Sequence, residues 1–205
     1  MRTKNPLTVP RIVSVAIAYV DENGMEALTL RALGDELGVH HTAMYRHFRN
    51  KDDLIDAMYD HVVAEAASQS SLAGKAPRAQ IEEISRSFRR VLHTHPVLVQ
   101  TIIHSRGSSS SIAVERLVIE ALRAMGCAED RIAVHYQLIE TFVFGSAAFD
   151  FAGAPAHLEM RRERHLSSGE LPMIQVAKSN AHIDKLNEES FELGLRLILD
   201  SAATN

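Results

Sequence analysis

Apolar residues in this chain recur at intervals of three and four and almost nowhere at intervals of two. A helix turns once every 3.6 residues whereas a half-buried strand alternates its faces, so this spacing sorts apolar from polar side chains only on helices. Val13, Ile17 and Val20 stand at i, i+4 and i+7, behind Pro10, which suits a first helical turn, and ahead of Asn23-Gly24, which suits an end. The pattern predicts a helix over 9–22. Thr29 then offers an N-cap hydroxyl to a helix carrying Leu30, Leu33 and Leu37, which Gly38 stops. A short helix over 41–47 follows, and Asn50 or Asp52 caps the next, which carries Leu54, Ile55, Met58 and Val62 to about 67. Beyond a Ser-, Gly- and Ala-rich break at 68–77, helices are expected over 78–94, 97–104, 111–125, 129–152, 156–166, 172–179 and 187–202. Gly107 and the serines at 108–111 read as a flexible connector. The fold class is all-α.

With 205 residues, 46% of them hydrophobic, the chain can bury a core in one large or two small domains. Its single cysteine, Cys127, cannot form an internal disulfide, and no signal-peptide pattern or apolar run of about 20 residues is visible. These features predict a cytoplasmic protein with no membrane partner. Charge is divided unevenly. Residues 1–51 hold seven of the 22 Lys and Arg side chains and five of the 26 Asp and Glu, leaving 15 basic against 21 acidic side chains in the remainder. A mildly basic head on an acidic body suits a head that meets a polyanion.

The stretch "LGDELGVHHTAMYRHFRNKDDL", residues 33–54, gives that head a chemistry. Two short helices joined through Gly38 match the helix-turn-helix unit, whose second helix enters the DNA major groove. Gly34 is small where the helices must cross, and Leu33, Leu37, Val39, Met44 and Phe48 supply a small core. His41, Thr42, Tyr45, Arg46 and His47 are left pointing outward. Arginine can make paired hydrogen bonds to guanine, threonine and alanine can touch a thymine methyl, and tyrosine, histidine and lysine can hold phosphates. On spacing alone, a structural helical protein with a solvated polar face fits as well.

Residues 9–58, "VPRIVSVAIAYVDENGMEALTLRALGDELGVHHTAMYRHFRNKDDLIDAM", resemble the N-terminal domain of the tetracycline-repressor (TetR) family of bacterial transcriptional regulators. The marks are Leu28-Thr29-Leu30-Arg31, Leu37-Gly38-Val39, Met44-Tyr45-Arg46-His47-Phe48 and Asn50-Lys51-Asp52-Asp53-Leu54. Residues 191–203, "FELGLRLILDSAA", are similar to the family's last helix. The resemblance implies a three-helix DNA-binding domain over 1–52 and a helical ligand-binding and dimerisation domain over 53–205. It implies DNA contacts by Thr29 and Arg31, by His41, Thr42, Ala43, Tyr45, Arg46 and His47, and by Lys51 on a phosphate at a helix N-terminus. His40, at the turn, is given no DNA role. Arg46, His41 and Thr42 replace the aromatic, amide and proline of the tetracycline repressors, so their operator does not carry over.

The resemblance also implies a ligand-released repressor that binds a palindromic operator as a homodimer, because one recognition helix spans only a few base pairs. The dimer surface is expected on Phe142, Gly145 and Phe149 of one helix and Phe191, Leu195, Ile198 and Ala202 of the last, forming a four-helix interface. A small-molecule effector is expected against Phe88, Leu92, Ile103, His104, Leu117, His135 and Ile139. No metal or other cofactor is expected, since none of the 11 histidines shows tight ligand spacing. Two further readings are an architectural DNA binder without an effector and a helical hydrolase using Cys127 and His135. Nothing in the sequence nominates a reaction, so an enzyme is not expected.

Overall fold

The computed structural model describes residues 6–96, 98–99, 108–149 and 155–203, with the backbone alone for Phe149 and residues 155–158. The head is built on α1 (Val9–Asn23), α2 (Leu30–Glu36) and a 3₁₀ segment (His41–Arg46), with a shorter 3₁₀ turn at Met25–Ala27. Ile12, Val13, Ala16, Ile17 and Val20 of α1 are buried. They pack with Leu30, Leu33, Met44 and Phe48 into one core. Leu37 and Val39 are half-buried at its edge.

The next helix, α3 (Lys51–Gln69), belongs to both halves of the molecule. Its Leu54 and Met58 close the head's core, and its Val62, Val63 and Ala66 lie under α4 (Pro77–Thr94) and α5 (Ser109–Ala124). A division of the chain at residue 52 therefore falls inside an unbroken helix. The body is completed by α6 (Ile132–Phe149), α7 (Pro155–Ser167), α8 (Leu171–Val176) and α9 (Asn180–Ala202). No strand occurs among the described residues. The fold is all-α, a helix-turn-helix head followed by a helical body.

Several boundaries differ from expectation for local reasons. The segment 41–46 is a tight 3₁₀ turn rather than an α-helix. The serines expected to form a connector instead start α5: Ser108 Oγ accepts from the Ser111 backbone N–H at 3.1 Å while Ser111 Oγ accepts from that of Ser108 at 2.7 Å, a reciprocal cap. The long helix expected from 129 starts with a 3₁₀ turn at Glu129–Arg131, and α9 starts at Asn180, seven residues before the expected 187. The expected helix over 97–104 falls mostly outside the described residues.

A ladder of ion pairs ties α4 to α9. Arg86 holds Glu192 through two contacts of 2.7 Å, Arg78 reaches Asp200 at 2.7 Å, and Arg89 pairs with Glu188. The Arg89 guanidinium also sits 4.6 Å above the Phe191 ring. The Arg86 hydrogen bonds hold the Glu192 carboxyl below its ordinary range.

Candidate functional site

The DNA-facing surface is fixed from the turn outward. Thr29 Oγ1 accepts from the Ala32 N–H at 3.0 Å and starts α2. Gly38 takes φ +65°, a left-handed turn that reverses the chain, and Val39 N–H donates back to the Gly34 carbonyl at 2.9 Å. A Cβ on Gly34 would lie 3.1 Å from His41 Cα, so the two elements cross as closely as backbone allows. His40, given no role in advance, caps the 3₁₀ segment: its Nδ1 accepts from Thr42 N–H at 3.4 Å and lies 2.9 Å from Thr42 Oγ1.

This frame buries one side of the segment and bares the other. Met44 is 0% exposed while its neighbour Tyr45 is 57% exposed. Thr29, Arg31, His41, Thr42 and Arg46 are exposed, and Ala43 and His47 are half-exposed. Among the described residues no carboxylate pairs with Arg31 or Arg46, so both guanidiniums are available to a partner. Lys51, expected on a phosphate, has a partner within the chain. Its Nζ donates to the Met25 carbonyl at 2.8 Å and pins the 3₁₀ turn to α3. The adjacent Arg49 pairs with Asp53 at 2.7 Å, and Asn50 Oδ1 accepts from the Asp53 N–H at 2.9 Å, settling which residue caps α3.

The body forms a half-open cavity of about 60 Å³ between α3, α4, α5 and α6. Tyr59 and Val63 enter from α3, Ile84, Ser85 and Phe88 from α4, and Ser111, Val114 and Val118 from α5. Tyr136, Ile139, Glu140, Val143 and Phe144 enter from α6. Burial, and then the Glu140 charge, push the Tyr59 phenol up to about 12, and the same two causes raise that of Tyr136. Both phenols therefore remain hydrogen-bond donors at neutral pH.

Of the residues expected to line such a site, Phe88 and Ile139 do so. Leu92 is 0% exposed and belongs to the core, Leu117 faces a separate shallow groove with Ala113 and Arg116, and Ile103 and His104 fall outside the described residues. His135 is buried at 2% exposure, with Nδ1 3.0 Å from the Arg131 carbonyl, 3.5 Å from Cys127 Sγ, and Nε2 3.3 Å from Ser201 Oγ. A nitrogen facing a carbonyl carries its proton, so Nδ1 has no lone pair with which to deprotonate the thiol. Burial also raises the Cys127 thiol. The two residues meet as packing, without a nucleophile and base. Among the described residues no three His, Cys, Asp or Glu side chains gather to hold a metal, and no helix is long and apolar enough to cross a membrane.

The expected dimer stripe needs correction. Phe191, Leu195 and Ala202 are at most 1% exposed within one subunit, and Ile198 is half-buried against the same core. Phe142 stacks on Phe191 at 5.6 Å and fills the notch at Gly194, where a Cβ would lie 2.3 Å from its ring. These residues join α6 to α9 within the chain, and the side chain of Phe149 lies outside the described residues. Gly145 has open space on its Cβ side. The faces turned away from the core carry Val134 and Leu138 on α6, 41% and 46% exposed, and Leu193 and Leu197 on α9, 49% and 59% exposed.

Residues 12–58 match the family model described as bacterial regulatory proteins, tetR family, and residues 73–204 match the tetracyclin repressor-like C-terminal domain. The chain belongs to the TetR family. Among its TetR relatives is the HTH-type transcriptional repressor DrrR1 of Streptomyces coeruleorubidus, 30% identical over 96% of this chain and 77% of the relative. The class A tetracycline repressor from transposon 1721 of Escherichia coli is 26% identical over 94% of this chain and 88% of its own. The TetR-family protein ActR of Streptomyces coelicolor, solved in complex with actinorhodin, superposes with a TM-score of 0.74 at 26% identity, covering 98% of this chain and 100% of ActR. DrrR1 and the class A protein are repressors, and ActR is a TetR-family protein.

Proposed function

We propose that this TetR-family regulator is a homodimeric repressor. It binds a two-fold symmetric operator through Arg31 and the outward side of residues 41–47, and a small molecule in the body cavity releases it. The observation that carries the DNA-binding face is the contrast across the 3₁₀ segment: apolar residues wholly buried, and beside them exposed Tyr45 and unpaired Arg31 and Arg46. Arg46 reads a base edge, while Tyr45, His41 and His47 position the segment on the backbone. Subunits pair through the outer faces of α6 and α9, where Val134, Leu138, Leu193 and Leu197 form an apolar surface and Gly145 admits a close approach. The actinorhodin complex of ActR and the repressor role of DrrR1 support the same reading by likeness.

The release mechanism follows from α3. Met58 plugs the head's core and Tyr59, the next residue, lines the cavity. A cavity of about 60 Å³ holds only a few water molecules, whereas pockets that bind small organic molecules measure about 300–1,000 Å³. An effector must therefore displace its lining, and a ligand that binds the expanded state best shifts the population toward it. Movement of Tyr59 and Val63 swings α3 and with it the head, which His95 Nδ1 also braces by its 2.7 Å contact with Asp21 Oδ2 of α1. The test is fluorescence anisotropy with labelled DNA from the region flanking the protein's own gene. The proposal expects salt-dependent, saturable binding that Arg46→Ala weakens by about 1–3 kcal/mol at the specific site and little on random DNA. Equal affinity of wild type and variant for both DNAs would refute it.

A further inference from the structure

The cavity carries a charge bias that identifies the chemistry of its ligand, an inference that rests on this cavity being the effector site. Four aromatic side chains, Tyr59, Phe88, Tyr136 and Phe144, line it around a single charged group, Glu140. Phe88 and Phe144 meet edge to face with centroids 6.4 Å apart. The Glu140 carboxylate has only two long contacts, from Tyr136 Oη and from Gln137 Nε2, both at 3.4 Å. No Lys, Arg or His pairs with it among the described residues. The charge of Glu115, which also acts on Tyr136, has the same sign.

Glu140 is half-buried in this apolar cleft, and a carboxylate there without a counter-ion attracts a cation, to which the negative faces of the aromatic rings add. A second, independent group points the same way into the cavity. Ser85 lines it at 3% exposure, and its Oγ has no hydrogen-bond partner. Natural interiors seldom leave such a hydroxyl unpaired, so Ser85 Oγ is free to bond a polar atom brought into the cavity. We infer that the effector is an aromatic organic cation: a protonated amine on Glu140, a ring system among the four aromatic side chains, and a hydroxyl or carbonyl at Ser85. An anionic aromatic of the same size would bring like charge to Glu140 and is excluded.

Rhodamine 6G and fluorescein share a ring system and differ in charge, so they probe the inference directly by equilibrium dialysis with the full-length protein. Wild type should bind rhodamine 6G at least about tenfold more tightly than fluorescein, and Glu140→Gln should remove most of that preference, the scale of one hydrogen bond to a charged group. The amide keeps the shape and the Tyr136 contact, so an unchanged melting temperature confirms that the fold is intact. Preference for fluorescein, or rhodamine 6G binding unaffected by Glu140→Gln, would overturn the inference. Labelled DNA separates this from the effector reading. Glu140-dependent rhodamine 6G binding that leaves DNA affinity unchanged supports the charge preference and refutes the effector role. Release of DNA by fluorescein, equal in wild type and Glu140→Gln, supports the effector role and overturns the charge preference.

Discussion

Replacing Gly34 by alanine sets two opposing effects against each other. Alanine in the interior of α2 removes backbone freedom from the unfolded chain and on that ground stabilises by about 0.5–1 kcal/mol. The new Cβ would stand 3.1 Å from His41 Cα and 3.3 Å from the Val39 carbonyl oxygen, tighter than van der Waals contact against backbone that has no side-chain rotamer to yield. Overpacking of this kind costs about 1–3 kcal/mol, so the net effect is a destabilisation between about zero and 2.5 kcal/mol. In a chain of 205 residues this is a fall in melting temperature of about 2–4 °C per kcal/mol.

The effect on DNA should exceed the effect on stability. To relieve the contact, the chain at His41 must move by a few tenths of an ångström, and the 3₁₀ segment moves with it. A base contact made through two parallel hydrogen bonds is worth about 1–3 kcal/mol and depends on that placement, so specific affinity should fall about tenfold while binding to random DNA is nearly unchanged. Thermal melting by circular dichroism and anisotropy titration measure the two quantities. A Gly34→Ala protein that melts higher than wild type and binds its specific site equally well would refute the close crossing and the placement argument together.

Two further outcomes test other parts of the molecule. Leu138→Glu combined with Leu197→Glu places charge on faces exposed in the single subunit, so the fold should survive while sedimentation velocity shows monomers. DNA affinity should then drop by about 10²-fold or more as the second head is no longer tethered. Glu192 is held below its ordinary range by Arg86, and Glu83 by Lys75, so each is more acidic folded than unfolded. Their stabilisation is present above the unfolded carboxylate range near pH 4.3 and lost as pH falls through the folded values. Melting temperature should decline below about pH 4.5, and less steeply in Glu192→Gln; parallel declines would contradict the ion-pair ladder.

The head was legible in the sequence because its punctuation is local. Thr29, Gly34, Gly38 and Asn50 act on neighbours within a few residues, and the apolar spacing of α1 and α2 leaves one solution. The 3₁₀ form of residues 41–46 was not legible, since over six residues a three-residue and a 3.6-residue period select nearly the same side chains. The start of α9 at Asn180 was hidden by a polar first turn with Ile183 as its buried anchor. The two faces of α9 are not separable in the sequence because both are apolar, and only tertiary packing shows that Phe191 and Leu195 are buried, Phe191 against Phe142, while Leu193 and Leu197 are exposed.

The cavity gathers small groups of residues from four helices, a convergence that no periodicity encodes, and so the sequence does not point to Tyr59, Ser85, Tyr136 and Glu140 as its lining. One signal was present: Glu140 is the lone acidic or basic residue, histidine aside, in the 18 residues of α6.

The central claim is that two copies of one polar face enter successive grooves of a duplex at a distance set by subunit pairing. Selection from a random DNA library with the full-length protein tests it most directly. The account predicts an enriched sequence with two-fold symmetry whose half-site centres lie about 10 base pairs, or a multiple of that, apart. Enrichment of a single asymmetric site, or of none at moderate salt, would contradict it.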